Sequence, residues 1–302
     1  MRTRIIVTMV VGVLCVVAVS QTRPETARED VPGAQHSHVA YDMPRKRCDL
    51  ANREIRESSG LAASGLRPDV LWTHNDSGDS ARIFAFDLDG KDLGAYGVKG
   101  AGADDWEDMA SFRLGGQSYL LLGDVGNNHS SRSVGTLYLV EEPRIGLSRY
   151  ARLIQTVRFR YEDRPYNCEA IGFDPKRREV LLATKQIGFS TRVYVLAWPA
   201  GDTADTLVAR HIGTIAVPIA TAMDISPDGT RAVVLTYGHA YEYVRDPDED
   251  WQQALARPGR QIVMPGRGQG ESICFASDGH TLYLTSEQQP TPLFEVPVKD
   301  SP

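Results

Sequence analysis

The sequence predicts an all-β fold: a five-bladed β-propeller of four-stranded blades, its last blade closed by the N-terminal strand. Three observations carry the prediction. A short motif of polar anchor, small or polar residue and aliphatic residue recurs five times; each copy is followed by the same succession of strand-like runs; and the fifth copy ends one strand short while a spare strand-like segment stands ahead of the first.

At the N-terminus, Arg2 and Arg4 precede an uncharged apolar run, Ile5 to Val19, that closes on Ala18-Val19-Ser20. This is the pattern of a cleavable export signal over residues 1–20; an uncleaved anchor is the alternative, although the run is short for a bilayer. Leu14 before Cys15 argues against a lipoprotein. Residues 21–46, rich in Pro, Thr, Glu, Arg and His with no apolar period, read as a disordered tether. His36 and His38 are assigned no role there. The propeller domain is placed at 47–300, and the protein is expected to be periplasmic or extracellular.

The five anchors are Ser59, Glu107, Glu169, Thr221 and Glu271, in SGLAA, EDMAS, EAIGF, TAMDI and ESICF, spaced 48, 62, 52 and 50 residues apart. That spacing suits one four-stranded blade per repeat. The 62-residue interval holds strands for one blade with a long connection. Turn chemistry follows three anchors: DPKRRE, SPDGT and ASDGH. Second strands are near-continuous apolar runs, VLWTH, SYLLLGD, EVLLATK, RAVVLTY and TLYLTSE, as expected of strands covered on both faces. Third strands read RIFAFD, TLYLVEE, RVYVLAW, AYEYV and PLFEV. The outer strands KDLGAYGV, RLIQTVRFRY, TLVARHIGTIA and RQIVMP are more polar, as edges should be. The fifth repeat stops after its third strand, so Asp49 to Arg56 is expected to complete it and remove the open edge.

In this architecture the first residues of the innermost strands form a ring at one mouth of the axial channel. Three glutamates brought together repel, so either they hold protons or a cation lies among them. Ser59, Glu107, Glu169, Thr221 and Glu271 offer oxygen alone, which suits Ca2+ over zinc or copper, with an extracellular-type affinity of about 10⁻⁴ to 10⁻³ M. The plainer alternative is that polar residues cap strand starts. It accounts for the hydroxyls better than for the glutamates, which are disfavoured in strands.

The axial order hydroxyl, Glu, Glu, hydroxyl, Glu resembles that of the calcium-activated nucleotidases, an apyrase family built on a five-bladed propeller with one Ca2+ in its tunnel. VLWTHNDSGDSARIFAFD is similar in layout to that family's first blade, and DWEDMA followed by GDVGNN resembles secreted bacterial propellers described as phytase-like. The resemblance covers about residues 48–299 and implies the fold and the ion. Two departures touch the chemistry. Where the family has paired aspartates followed by Arg, this chain reads Asn75-Asp76-Ser77, and where it has an Arg pair in the third blade, this chain has Lys185 alone.

Loops between second and third strands open on the anchor face and carry binding groups. They bring His74, Asn75, Asp76, Ser77 and Asp79; Asp124, Asn127, Asn128 and His129; Lys185 and His239; and Glu287. The turn into the second blade adds Asp104, Asp105 and Asp108 around Trp106. For an enzyme, this acidic bowl points to calcium-assisted hydrolysis of a phosphoester or phosphoanhydride, with Asp76 or Asp105 activating water and Lys185 contacting the anion. The scarcity of Lys and Arg there counts against it, and the alternative is a non-catalytic envelope propeller that binds a small molecule or protein at the channel mouth. A glycosidase or lactonase with Trp72 and Trp106 stacked on a sugar ranks third.

A net charge of −6 argues against a nucleic-acid partner. A monomer is expected. Cys48, Cys168 and Cys274 beyond the signal allow one disulfide at most, and Cys274 reads as core.

Overall fold

The computed structural model describes residues 38–128 and 131–299, so the expected export signal and most of the expected tether lie outside the described residues. Among the described residues no helix is long and apolar enough to cross a membrane. The chain is all-β, built of antiparallel four-strand meanders. The first comprises β2 (Ser58–Ala63), β3 (Val70–Asn75), β4 (Arg82–Asp87) and β5 (Asp92–Val98). The second comprises β6 (Trp106–Leu114), β7 (Gln117–Asp124), β8 (Gly135–Glu141) and β9 (Tyr150–Tyr161). The third comprises β10 (Cys168–Asp174), β11 (Glu179–Thr184), β12 (Thr191–Ala197) and β13 (Leu207–Ile215). The fourth comprises β14 (Ala220–Ile225), β15 (Arg231–Thr236), β16 (Ala240–Val244) and β17 (Arg260–Ile262). The last joins β18 (Ser272–Phe275), β19 (Leu282–Thr285) and β20 (Pro292–Val296) to β1 (Arg45–Asp49).

Each expected strand therefore exists, but the closing segment is displaced. The sequence expectation placed it at Asp49 to Arg56; the strand that pairs antiparallel with β20 is Arg45–Asp49, with Arg45 opposite Glu295 and Asp49 opposite Pro292. Residues Ala51 to Arg56 turn instead, because the Asn52 side chain accepts from Glu54 N at 2.8 Å and diverts the backbone. Leu50 and Ile55, which gave the segment its strand-like look, anchor that turn in the core. The tether expectation also ran too far, since Tyr41 bridges to Val298 and donates its hydroxyl to Glu242 at 2.9 Å. His38 contacts the same carboxylate at 3.3 Å.

The core lies between meanders rather than within them. Trp72 and Met109 belong to the apolar seam between the first and second; Phe112 and Phe173, stacked at 3.7 Å, to the next. Met223 and Trp251 belong to the seam of the third with the fourth, Ile273 and Ile262 to that of the fourth with the fifth. Leu61, Phe84 and Leu293 join the fifth back to the first. The inner strands touch in the same cycle, β2 with β6, β6 with β10, β10 with β14, β14 with β18 and β18 with β2. Burying each such side chain stabilises the fold by about 1.5–3 kcal/mol. Polar ties reinforce the last seam, where Ser58 Oγ lies 2.6 Å from Thr285 Oγ1.

Two features were not expected. β9 is long enough to pair in parallel with both β5 and β13, which zips three meanders into one twelve-stranded sheet along their outer edges. Between β16 and β17 lies a five-residue helix, α1 (Trp251–Leu255), whose Asp250 accepts from Gln253 N while Gln253 accepts from Asp250 N. It is too short for a helical period to appear in the sequence; the D-x-x-Q capping box was its only signal. The three cysteines described are free thiols.

Candidate functional site

The anchors owe their direction to a repeated irregularity. In β2, β6, β10 and β14 the pairing register slips at one residue, and the skipped residue is Ser59, Glu107, Glu169 and Thr221 in turn. A bulge re-aims a side chain out of the sheet's alternation. In the last meander the ladder begins at Ser272, so Glu271 is released from it altogether. All five anchors are buried, from 1 to 4 % exposed.

The five do not play one role. Ser59 Oγ donates to the Glu107 carbonyl at 2.6 Å, and Thr221 Oγ1 donates to the Gly270 carbonyl at 2.8 Å, so both hydroxyls tie one inner strand to the next. Glu107 instead joins Asp76 and Asp105, with one oxygen from each lying within 4.8 Å of the others. The sequence reading had assigned those aspartates to catalysis and not to the ion. Glu169 and Glu271 share Lys185, whose ammonium lies 2.9 Å from the first and 3.7 Å from the second. Lys185 is thus turned inward onto two carboxylates, not outward toward an anion, because its strand ends beside them.

The loops that carry the aspartates are held from behind. Asp124 pairs with Arg132 at 2.7 Å and accepts from Asp105 N at 3.1 Å, which fixes the turn before Glu107. Asn75 accepts from Arg56 N and Glu57 N, and Asp76 N donates to Glu57 O at 2.9 Å. Asp79 is engaged by Arg82, and Asn127 by the backbone of Arg132. Of the bowl residues expected, Asp79, Asn75 and Asp124 therefore build the loops rather than line the mouth, Asn127 braces its own loop, and His129 lies outside the described residues.

Three further expectations are corrected by burial. Asp108 is fully enclosed beneath the mouth, where its carboxylate accepts from Met109 N, Ile171 N and Met223 N and so pins three inner strands together. Trp72 donates its indole N–H to Glu142 at 2.9 Å, Trp106 donates to Gly102 O at 2.9 Å, and neither presents a face to solvent, so no sugar stacks on them. His74 packs edge-on against Trp106, and burial pulls its pKa down to about 4.

Electrostatics concentrate at the trio. Burial, with the Asp105, Glu169 and Glu271 charges behind it, pushes Asp76 up to about 6. Burial and the carboxylates of Glu169, Asp76 and Asp105 push Glu107 far above the usual range. Burial works against the charge on Lys185, yet Glu169 and Glu271 hold its pKa above the ordinary lysine value.

No protein-family profile matches the chain, and no curated protein matches it in sequence. Glu107 Oε1 is buried without a hydrogen-bond partner. Gly126 packs directly over it, and a Cβ at that position would run into Glu107 Oε1 and Asp105 Oδ2. The orphaned oxygen and the three clustered carboxylates fit a hard cation. Gly126 was missed in the sequence because the second glycine of GDVGNN reads as ordinary turn chemistry. Tyr237 was missed as well; it donates to Glu271 at 2.6 Å. Beside the cluster opens a cleft of about 520 Å3 lined by Asn127, Asn128, Asn167, Lys185 and Tyr237.

Proposed function

We propose that the protein is an exported five-bladed β-propeller that holds one calcium ion at its axial mouth, among Asp76, Asp105 and Glu107, and presents that ion to a polar ligand in the adjoining cleft. The blade reading is supported by the closed cycle of five apolar seams, and export by the pattern of residues 1–20. The ion reading is carried by one observation: the buried Glu107 Oε1 that lacks a hydrogen-bond partner, beside Asp76 and Asp105 and under the closely packed backbone of Gly126. A donor set of carboxylate oxygens without nitrogen or sulfur favours calcium over zinc.

The ligand-presenting role ranks ahead of phosphoester hydrolysis, because Lys185 is already neutralised by Glu169 and Glu271. One observation keeps calcium-assisted hydrolysis as a second reading. Asp76 is half-buried at the ion's edge with its pKa pushed up to about 6, near the value a general base needs.

Calorimetric titration of the full chain with calcium, magnesium and zinc tests the ion. One calcium per chain is expected, lost in Glu107→Gln and Asp105→Asn; wild type without calcium binding overturns the proposal. A panel of phosphate esters, nucleotides and lactones, each with calcium and with chelator, tests hydrolysis. Turnover that chelator abolishes favours the second reading.

A further inference from the structure

The five inner strands have a second end. Around the C-terminal ends of β2, β6, β10, β14 and β18, away from the anchors, lies a cavity of about 310 Å3. Its walls are apolar, with Phe112, Phe173, Phe275 and Pro227 prominent, and one buried carboxylate, Asp224, opens onto it. Asp224 is 6 % exposed, so a small molecule in the cavity reaches it while bulk water scarcely does. Each of its oxygens accepts one backbone N–H at 2.8 Å, from Ile225 and from Phe275, which leaves lone pairs on both.

Among the described residues no basic group forms an ion pair with Asp224. Arg113, at the cavity rim, is directed elsewhere; its guanidinium donates to the carbonyls of Gly65 and Gly116. The ionisable groups that feel Asp224 are Asp108, deeper along the axis, and Cys274 on β18, and neither supplies positive charge. A carboxylate desolvated in an apolar pocket without a counter-charge disfavours an anionic occupant. We infer that this end of the axis is a binding site for a small organic cation, an ammonium group on a compact apolar body, with Asp224 as counter-charge and the phenylalanine walls taking the body. The site is separate from the acidic mouth and does not depend on calcium.

The test is calorimetric titration of the full chain at pH 8 with cyclohexylmethylammonium and with its neutral isostere cyclohexylmethanol, once in EDTA and once in saturating calcium. The ammonium is expected to bind once per chain, about tenfold or more tighter than the alcohol, with the same affinity in both buffers. Asp224→Asn should erase the preference for charge, and Ser111→Leu at the rim should weaken both ligands. Should Asp224→Asn fail to fold, the wild-type comparison and the rim variant still decide. Equal affinity for amine and alcohol, a preference that survives Asp224→Asn, amine binding that calcium displaces, or no binding at all overturns the inference.

Discussion

The Lys185 ammonium lies 2.9 Å from Glu169 Oε2 and 3.7 Å from Glu271 Oε1. Burial raises the Glu169 pKa, and the internal cation opposes that rise. Removing one partner of a largely buried pair leaves the other uncompensated, and because Lys185 keeps 23 % of its side chain exposed the cost is expected near the low end, about 1–3 kcal/mol. Lys185→Met should show that loss by urea unfolding in EDTA, and calcium should restore part of it by supplying positive charge. A deficit of the same size with and without calcium would mean that the ion and Lys185 do not share a field.

Gly126→Ala tests the space above Glu107. The added methyl meets Glu107 Oε1 and Asp105 Oδ2, while the backbone at Gly126 needs no left-handed conformation. Overpacking of this kind costs about 1–3 kcal/mol. Calcium affinity should therefore fall sharply in titrations of a variant that remains folded by circular dichroism. Retained affinity would place the ion elsewhere.

Asp108 is expected to be among the costliest polar residues to replace. Its carboxylate accepts three backbone N–H groups, at 2.8 Å from Met109 and Ile171 and at 3.0 Å from Met223, on three inner strands. Asp108→Ala strands all three donors in the core, at about 1–3 kcal/mol for each group left unsatisfied. Denaturant midpoints should show a loss of several times the effect of an exposed control such as Asp89→Ala. A variant as stable as wild type would refute the pinning role.

His74 sets a pH dependence of known sign. Its folded pKa is pulled down to about 4 from 6.5 by burial, so the unfolded chain binds more protons between those values. The stability its neutral form confers is complete above about pH 6.5 and is lost as the pH falls toward 4, about 3 kcal/mol in all. Asp224, pushed up to about 7 by burial, runs the other way and weakens the fold as the pH rises toward 7. The whole-protein curve therefore blurs the two, and the difference between wild type and His74→Gln isolates one. Unfolding free energies at pH 7.5 and 4.5 should show that difference narrowing with acid; a constant difference would contradict the assignment.

Much of this was legible in the chain because the information was local and repeated. Apolar runs such as SYLLLGD and RAVVLTY state a strand covered on both faces, and five copies of the anchor motif state the period. The site was legible only in part. Glu107 and Asp76 stood out as acids near a mouth, but Asp108, one residue from Glu107, carries the same chemistry and points into the core. The alternation of a strand, broken by a bulge at Glu107, decides between them, and a bulge has no composition of its own. Lys185 looked like a free cation because nothing in EVLLATK indicates that Glu169 of its own repeat and Glu271 of the fifth close on it.

The sequence by itself determined the all-β class, the order and nearly all the bounds of the strands, and which positions would carry oxygen near the axis, since side-chain type and period two are properties of a few neighbouring residues. Only the tertiary structure decided which acids meet. Asp76, Asp105 and Glu107 come from two loops and a bulge, and Lys185, Glu169 and Glu271 from two different repeats. Their encounters depend on distances set by packing between sheets, and electrostatic coupling is fixed by those distances and by the burial that accompanies them.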